Sequence, residues 1–127
     1  KCAISEGSIT NWKSFLISDV GTFFGREVNA CTMWEDPEKQ WWHSPMKYAD
    51  KVVTPTLFIH GGADHRCPTI EGMPMFTALK YFGVETRLCI FDGASHLFSY
   101  NGRPTQRIRR LKEMSAWLKK YLTKESD

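Results

Sequence analysis

The clearest hydrophobic pattern lies in the second half of the chain. Thr54 to His60 is a continuous apolar run with Pro55 at its start, as expected of a strand covered on both faces, and Gly61-Gly62 ends it. Met75, Phe76, Leu79 and Phe82 then recur at intervals of three and four. That spacing predicts a helix up to Phe82, with Gly83 where a left-handed cap belongs and Pro74 either in the first turn or kinking the helix. Glu85 to Phe91 sets Leu88 and Ile90 against Cys89 and Phe91, and Asp92-Gly93 closes it as a second buried strand. After a loop to Pro104, apolar residues at Ile108, Leu111, Met114, Leu118 and Leu122 predict an amphipathic helix over Thr105 to Leu122, its basic residues facing solvent.

The first half is less regular. Lys1 to Ser5 is a short apolar run stopped by Glu6-Gly7-Ser8, and Thr10 to Val28 mixes aromatics with turn formers around a helix. Asn29 to Asp50 places Trp34, Trp41 and Trp42 beside Asp36-Pro37 and Ser44-Pro45, which reads as short helical turns in a loop-rich, aromatic region. Strand, helix, strand, helix with short connections predicts a right-handed crossover and a parallel sheet, hence an α/β fold, without internal repeat or linker.

Composition adds limits. With 127 residues, 42% hydrophobic and 24% charged, the chain is in the range of one globular domain. A net charge of +3, spread among acidic residues, is too mild for nucleic-acid binding. No apolar stretch approaches the roughly 18 to 20 residues of a membrane span, and the N-terminus lacks the order of a signal peptide. Cys2, Cys31, Cys67 and Cys89 form no C-x-x-C pair and have no His at zinc-ligand spacing, so no metal or other cofactor is expected. Reduced thiols point to the cytoplasm. The chain opens on Lys1-Cys2-Ala3-Ile4, already strand-like and not an initiator Met, so it is expected to be part of something longer.

In parallel sheets, functional groups gather beyond the carboxyl ends of the strands, and both Asp64 and His96 lie in such loops. Neighbouring strands are about 4.8 Å apart, close enough for the two loops to bring a carboxylate to an imidazole. An Asp accepting from one ring nitrogen fixes the His tautomer and stabilises the imidazolium formed when the other nitrogen takes a proton from a nucleophile. Taken singly, the Asp also suits a turn or helix cap and the His an exposed loop. His60 and His43 read as packing or turn histidines; Arg66 and Cys67 follow Asp64 closely enough to contact it, also suit a helix entrance, and read as non-catalytic.

The segments "TPTLFIHGGADHRCP" (Thr54 to Pro68), "LKYFGVETRLCIFDGASH" (Leu79 to His96) and "RPTQRIRRLKEMSAWLKKYL" (Arg103 to Leu122) resemble the C-terminal end of the prolyl oligopeptidase family, particularly its acylaminoacyl-peptidase-like branch. "AISEGSITNW" and "WWHSPMKYADKVVTP" fit the same region, so the resemblance covers nearly the whole chain. It implies the C-terminal portion of an α/β-hydrolase fold, a three-layer sandwich with a mostly parallel sheet. The implied activity is that of a serine peptidase acting on short peptides or blocked N-terminal residues, with Asp64 and His96 as the triad acid and base. It further implies that Lys1 to Ser5 is the strand after the nucleophile helix, and that Phe15, Phe23, Phe24 and Trp34 are candidates for lining a specificity pocket.

One departure matters. The family nucleophile is a serine in a Gly-x-Ser-x-Gly elbow, and that motif occurs nowhere in the chain. Ser5, Ser8 and Ser95 are poor substitutes, since none sits on a strand-to-helix elbow. Residues 1–127 are therefore expected to form a partial hydrolase domain lacking the half that bears the nucleophile, inactive alone. Its open edge at Cys2-Ala3-Ile4 would favour self-association or pairing with that half. Two other readings share the residues: a carboxylesterase or dienelactone-type hydrolase, and a non-catalytic α/β interaction module.

Overall fold

The structure is a computed structural model that describes residues 1–123, so the last four residues of the expected domain lie outside the described residues. The elements run β1 (Ala3–Glu6), α1 (Gly21–Asn29), α2 (Pro37–Trp42), β2 (Thr56–Gly61), α3 (Thr69–Tyr81), β3 (Thr86–Phe91), α4 (Phe98–Asn101) and α5 (Pro104–Leu122). Tight 3-10 turns at Ser14–Ile17 and Pro45–Lys51 fill the irregular first half. The strands form one parallel sheet in the order β1-β2-β3. Glu6, Ile59 and Cys89 share one row of the register, so all three strands deliver their following loops to the same rim.

All six residues of β2 are buried, as its unbroken apolar run requires. Its alternate side chains serve two cores. Phe58 packs with Ala49, Met75 and Leu79 beneath α3, while Leu57 and Ile59 pack with Cys89, Phe91, Phe98 and Trp117 beneath α5. Helices on both faces of a parallel sheet give the three-layer α/β arrangement. The end of α3 follows from Gly83, whose φ of +76° lets its N–H reach the Lys80 carbonyl (3.1 Å) while the Val84 N–H reaches that of Leu79 (2.9 Å). Pro74 lies in the second turn of α3, not the first, and removes the donor that would have bonded Ile70.

Two expectations are corrected. β3 is not covered on both faces: Cys89 and Phe91 are buried, but Ile90 is 41% exposed. As an outer strand it has a neighbour on one side only, and α3 shelters Leu88 while leaving Ile90 open at the rim. The stripe predicted to seat α5 is also wrong, because Ile108, Leu111, Leu118 and Leu122 are exposed and of that set only Met114 packs on the core. The helix instead turns Trp117 (6% exposed), Met114 and Tyr121 to the sheet. Trp117 and Tyr121 pack ring against ring, with centroids 5.0 Å apart, and together with Met114 they cover the core formed by Leu57, Ile59, Cys89 and Phe91. None of the described helices is long and apolar enough to cross a membrane.

Trp117→Ala should therefore destabilise the chain by about 3–5 kcal/mol, and Leu111→Ala by less than about 1 kcal/mol. Urea unfolding of the two variants checks the orientation, and equal losses would reverse it.

Candidate active site

The loop that leaves β2 turns at Gly61-Gly62-Ala63 and immediately presents Asp64. Gly61 is required there: a Cβ would lie 2.4 Å from the Ala94 carbonyl oxygen and 2.8 Å from that of Ser95. That close approach lets the loops after β2 and β3 pair, with the Gly62 N–H donating to the Phe91 carbonyl (2.8 Å) and the Ala63 N–H to that of Ala94 (2.9 Å). Two residues beyond Ala94 comes His96.

Asp64 is 5% exposed and fully engaged. Its Oδ1 accepts the backbone N–H groups of Arg66 (3.0 Å) and Cys67 (2.8 Å), and its Oδ2 accepts from His96 Nδ1 at 2.9 Å. A carboxylate taken from water at this depth needs such donors. Because a carboxylate oxygen only accepts, Nδ1 carries a proton, and in the neutral tautomer this leaves Nε2 as the nitrogen with the lone pair. The His96 side chain is 36% exposed, so the ring stays reachable from a cavity of about 310 Å³ lined by Asp19, His65, Arg66, Ser95, His96 and Leu97 among others. The two residues predicted to meet at the strand ends do so.

The loop after β1 also reaches the pair. Gly7, at φ +53°, lies so close that a Cβ there would sit 3.5 Å from His96 Cε1 and 3.9 Å from Asp64 Oδ2. In the sequence, Glu6-Gly7-Ser8 signals only a strand end; its nearness to Asp64 follows from the parallel register. Glu6 itself accepts both Nε and Nη2 of Arg110, which ties the end of β1 to α5. Asp19 is a second residue the sequence pattern gave no reason to single out. Its carboxylate takes the Arg66 guanidinium in a two-point contact (2.7 and 3.1 Å), and that cation holds its pKa below the usual range.

The remaining candidates fall elsewhere. Burial, aided by the charge of Asp64, pushes the Cys67 thiol up to about 11, which keeps it protonated and unreactive. His43 donates from Nδ1 to Asn29 Oδ1 (2.8 Å), within a polar network in which Asn29 bonds Gln40 and Gln40 bonds the Cys31 carbonyl. Neither ring nitrogen of His60, 1% exposed beside α3, has a partner among the described residues. No hydroxyl of Ser5, Ser8 or Ser95 is hydrogen-bonded to His96; Ser95 shares its cavity, and the Ser8 hydroxyl is buried without a partner. Of the aromatic candidates, Phe15 is withdrawn. It is 1% exposed and packed against Trp12 and Phe24, whereas Phe23, Phe24 and Trp34 present surface.

The model of the prolyl oligopeptidase family matches residues 1–125. The chain belongs to the prolyl oligopeptidase family. Among its relatives, the uncharacterized peptidase YuxL of Bacillus subtilis is 46% identical over 123 residues, which is 96% of this chain and 19% of that protein. The acylaminoacyl peptidase of Pyrococcus horikoshii superposes with a TM-score of 0.90 at 34% identity, over 98% of this chain and 20% of that one. An acylaminoacyl peptidase in complex with Z-Gly-Gly-Phe-chloromethyl ketone superposes with a TM-score of 0.83 at 30% identity, over 98% of this chain and 21% of its own. The chain thus spans about a fifth of the length of these family members. Its fold is that of part of an α/β-hydrolase domain.

The enclosure of His60 sets a pH dependence. Burial lowers its pKa below 6.5, so the folded chain holds this ring neutral at pH values where the unfolded chain protonates it. The stabilisation is complete above 6.5 and declines as pH falls toward the lowered folded-state value, with a slope of up to about 1.4 kcal/mol per pH unit. Urea unfolding between pH 7 and 5 should lose that share of its slope in His60→Gln.

Proposed function

We propose that Asp64 and His96 are the acid and base of a serine peptidase triad, and that the nucleophilic serine belongs to a preceding segment of a longer polypeptide. The observation that carries this reading is the 2.9 Å contact from His96 Nδ1 to a buried Asp64 whose other oxygen is held by two backbone N–H groups. In the proposed reaction, His96 Nε2 removes the serine proton as the hydroxyl attacks a substrate carbonyl, and Asp64 stabilises the resulting imidazolium. The imidazolium then gives its proton to the leaving amine. Water, deprotonated by the same nitrogen, releases the acyl group. Oxyanion donors come with the serine, outside this chain.

The substrates we propose are short peptides or peptides with blocked N-terminal residues. The acylaminoacyl peptidases among the relatives support that class, as does the blocked peptidyl chloromethyl ketone held by one of them. Phe23, Phe24 and Trp34 are the proposed apolar lining of the specificity pocket, in keeping with their exposure of 69%, 41% and 73%. The open edge of β1 is the proposed place of pairing with a strand of the preceding segment, and in its absence with another copy. Four free cysteines, three of them buried, support a reducing compartment such as the cytoplasm.

A fluorophosphonate probe should label the full-length enzyme at one serine outside residues 1–127 and leave this chain alone unlabelled. In the full-length enzyme, Asp64→Asn should lower kcat by about 10⁴, and His96→Ala at least as far, with KM little changed. Hydrolysis of blocked aminoacyl anilides that survives His96→Ala would remove the assignment, and a strong preference for short-chain esters would move it to an esterase.

A further inference from the structure

Glu71, in the first turn of α3, is fully enclosed at 0% exposure and forms no ion pair among the described residues. A carboxyl group in that position costs several kcal/mol of lost hydration unless hydrogen bonds replace the water, so its partners show what it is for. Oε2 accepts the backbone N–H groups of Thr10 (3.1 Å) and Asn11 (3.0 Å), and Oε1 accepts the Ser14 hydroxyl (2.6 Å). The Thr10 hydroxyl donates to the Glu71 carbonyl. Every one of these partners belongs to the segment that follows β1.

The same segment is clipped a second time, a few residues on. The Ser18 hydroxyl donates to the Arg66 carbonyl (2.6 Å), the Asp19 N–H to the His65 carbonyl (3.1 Å), and the Arg66 guanidinium grips the Asp19 carboxylate. Thr10 to Asp19 is therefore fastened at both ends to His65–Glu71, the stretch that begins one residue past Asp64. Between the clips sits Phe15, packed edge-on to Trp12 (ring centroids 5.3 Å apart) and against Phe24 (6.2 Å), and α1 follows with Phe23 and Phe24 partly exposed. Packing Phe15 alone would need no buried carboxylate, since an apolar side chain would fill the space at lower cost. What an acidic side chain adds is a fixed distance to backbone N–H groups.

We propose that Glu71 is a positioning residue for substrate selection: it holds the aromatic segment Trp12–Phe24 in register with the turn that carries Asp64. The proposal rests on the hydrolase reading above and adds to it the device that keeps the aromatic lining at a set distance from His96. Loss of the carboxylate leaves the buried Thr10 N–H and the partly buried Asn11 N–H without acceptors and loosens the first clip to the single bond from the Thr10 hydroxyl to the backbone carbonyl of residue 71. The second clip, and the N–H groups of Arg66 and Cys67 on Asp64, are untouched. The lining should shift while the proton-transfer pair stays in place.

The test uses the full-length enzyme with Glu71→Ala, Glu71→Gln and Ser14→Ala, assayed on a blocked phenylalanyl and a blocked alanyl anilide. Glu71→Ala should reduce the phenylalanyl-to-alanyl ratio of kcat/KM about tenfold, chiefly through KM for the phenylalanyl substrate. Glu71→Gln keeps an oxygen for the two N–H groups and should stay within about twofold of the parent ratio. Ser14→Ala should move the ratio in the same direction by less, and it carries the test if Glu71→Ala does not fold. Hydrogen exchange at the Thr10 and Asn11 amides should accelerate in Glu71→Ala and not in Glu71→Gln. An unchanged ratio despite faster exchange, or an equal fall of kcat on both substrates, would overturn the proposal. Failure of the hydrolase reading has a different signature, a parent enzyme that no fluorophosphonate labels; exchange at Thr10 and Asn11 would then report on the clip without any role in selection.

Discussion

The arrangement at the rim depends on one buried carboxylate and the donors that make its burial tolerable. Asp64 takes one hydrogen bond from each of three residues, Arg66, Cys67 and His96. Two of them close the turn that precedes α3 and the third comes from beyond β3, so the same group closes a turn and fixes an imidazole. Its ionised form is served by all three, and any rotation of the side chain would strand at least one N–H in a poorly hydrated place. The orientation of His96 is thus a consequence of how the turn at Arg66–Cys67 folds.

That turn is held from several directions by the sheet. β2 and β3 end side by side at Gly61 and Phe91, β1 ends two rows earlier beside Ile59, and Gly61 permits the close contact of the loops after β2 and β3. β2 works as the common reference, buried along its whole length, with one core on each face. Sliding β2 past β3 would break the ladder and both cores together.

Between β1 and β2 the chain follows a different physics. Few of its residues enter the two apolar cores; it is organised by buried polar groups. Asn29, Gln40, His43 and the Cys31 carbonyl form one satisfied network, the Ser44 hydroxyl links the Gln40 carbonyl to the Trp12 N–H, and Glu71 gathers Thr10, Asn11 and Ser14. Such networks fix distances more sharply than apolar contacts, because each member has few acceptable geometries. Through Glu71 and Asp19 they tie this segment to the stretch that follows Asp64.

The contrast between the halves decides what could be read from the residues alone. β2, α3 and the caps around them were legible because unbroken apolar runs, a three-and-four spacing and a terminal glycine each have a local cause. The meeting of Asp64 and His96 was legible because parallel strands send their following loops to one rim. Four things were settled only in three dimensions: which face of α5 meets the sheet, how far β3 is covered, the burial of Phe15, and the parts played by Gly7, Asp19 and Glu71. Local periodicity shows that a helix has an apolar side, but competition for area between Trp117 and the stripe through Leu111 is resolved only when the sheet supplies a surface of finite width. Polar partners separated by some sixty positions, as Glu71 is from Thr10 and Asn11, leave no periodic trace, since nothing in the neighbourhood of either residue reveals that the fold will bring them together.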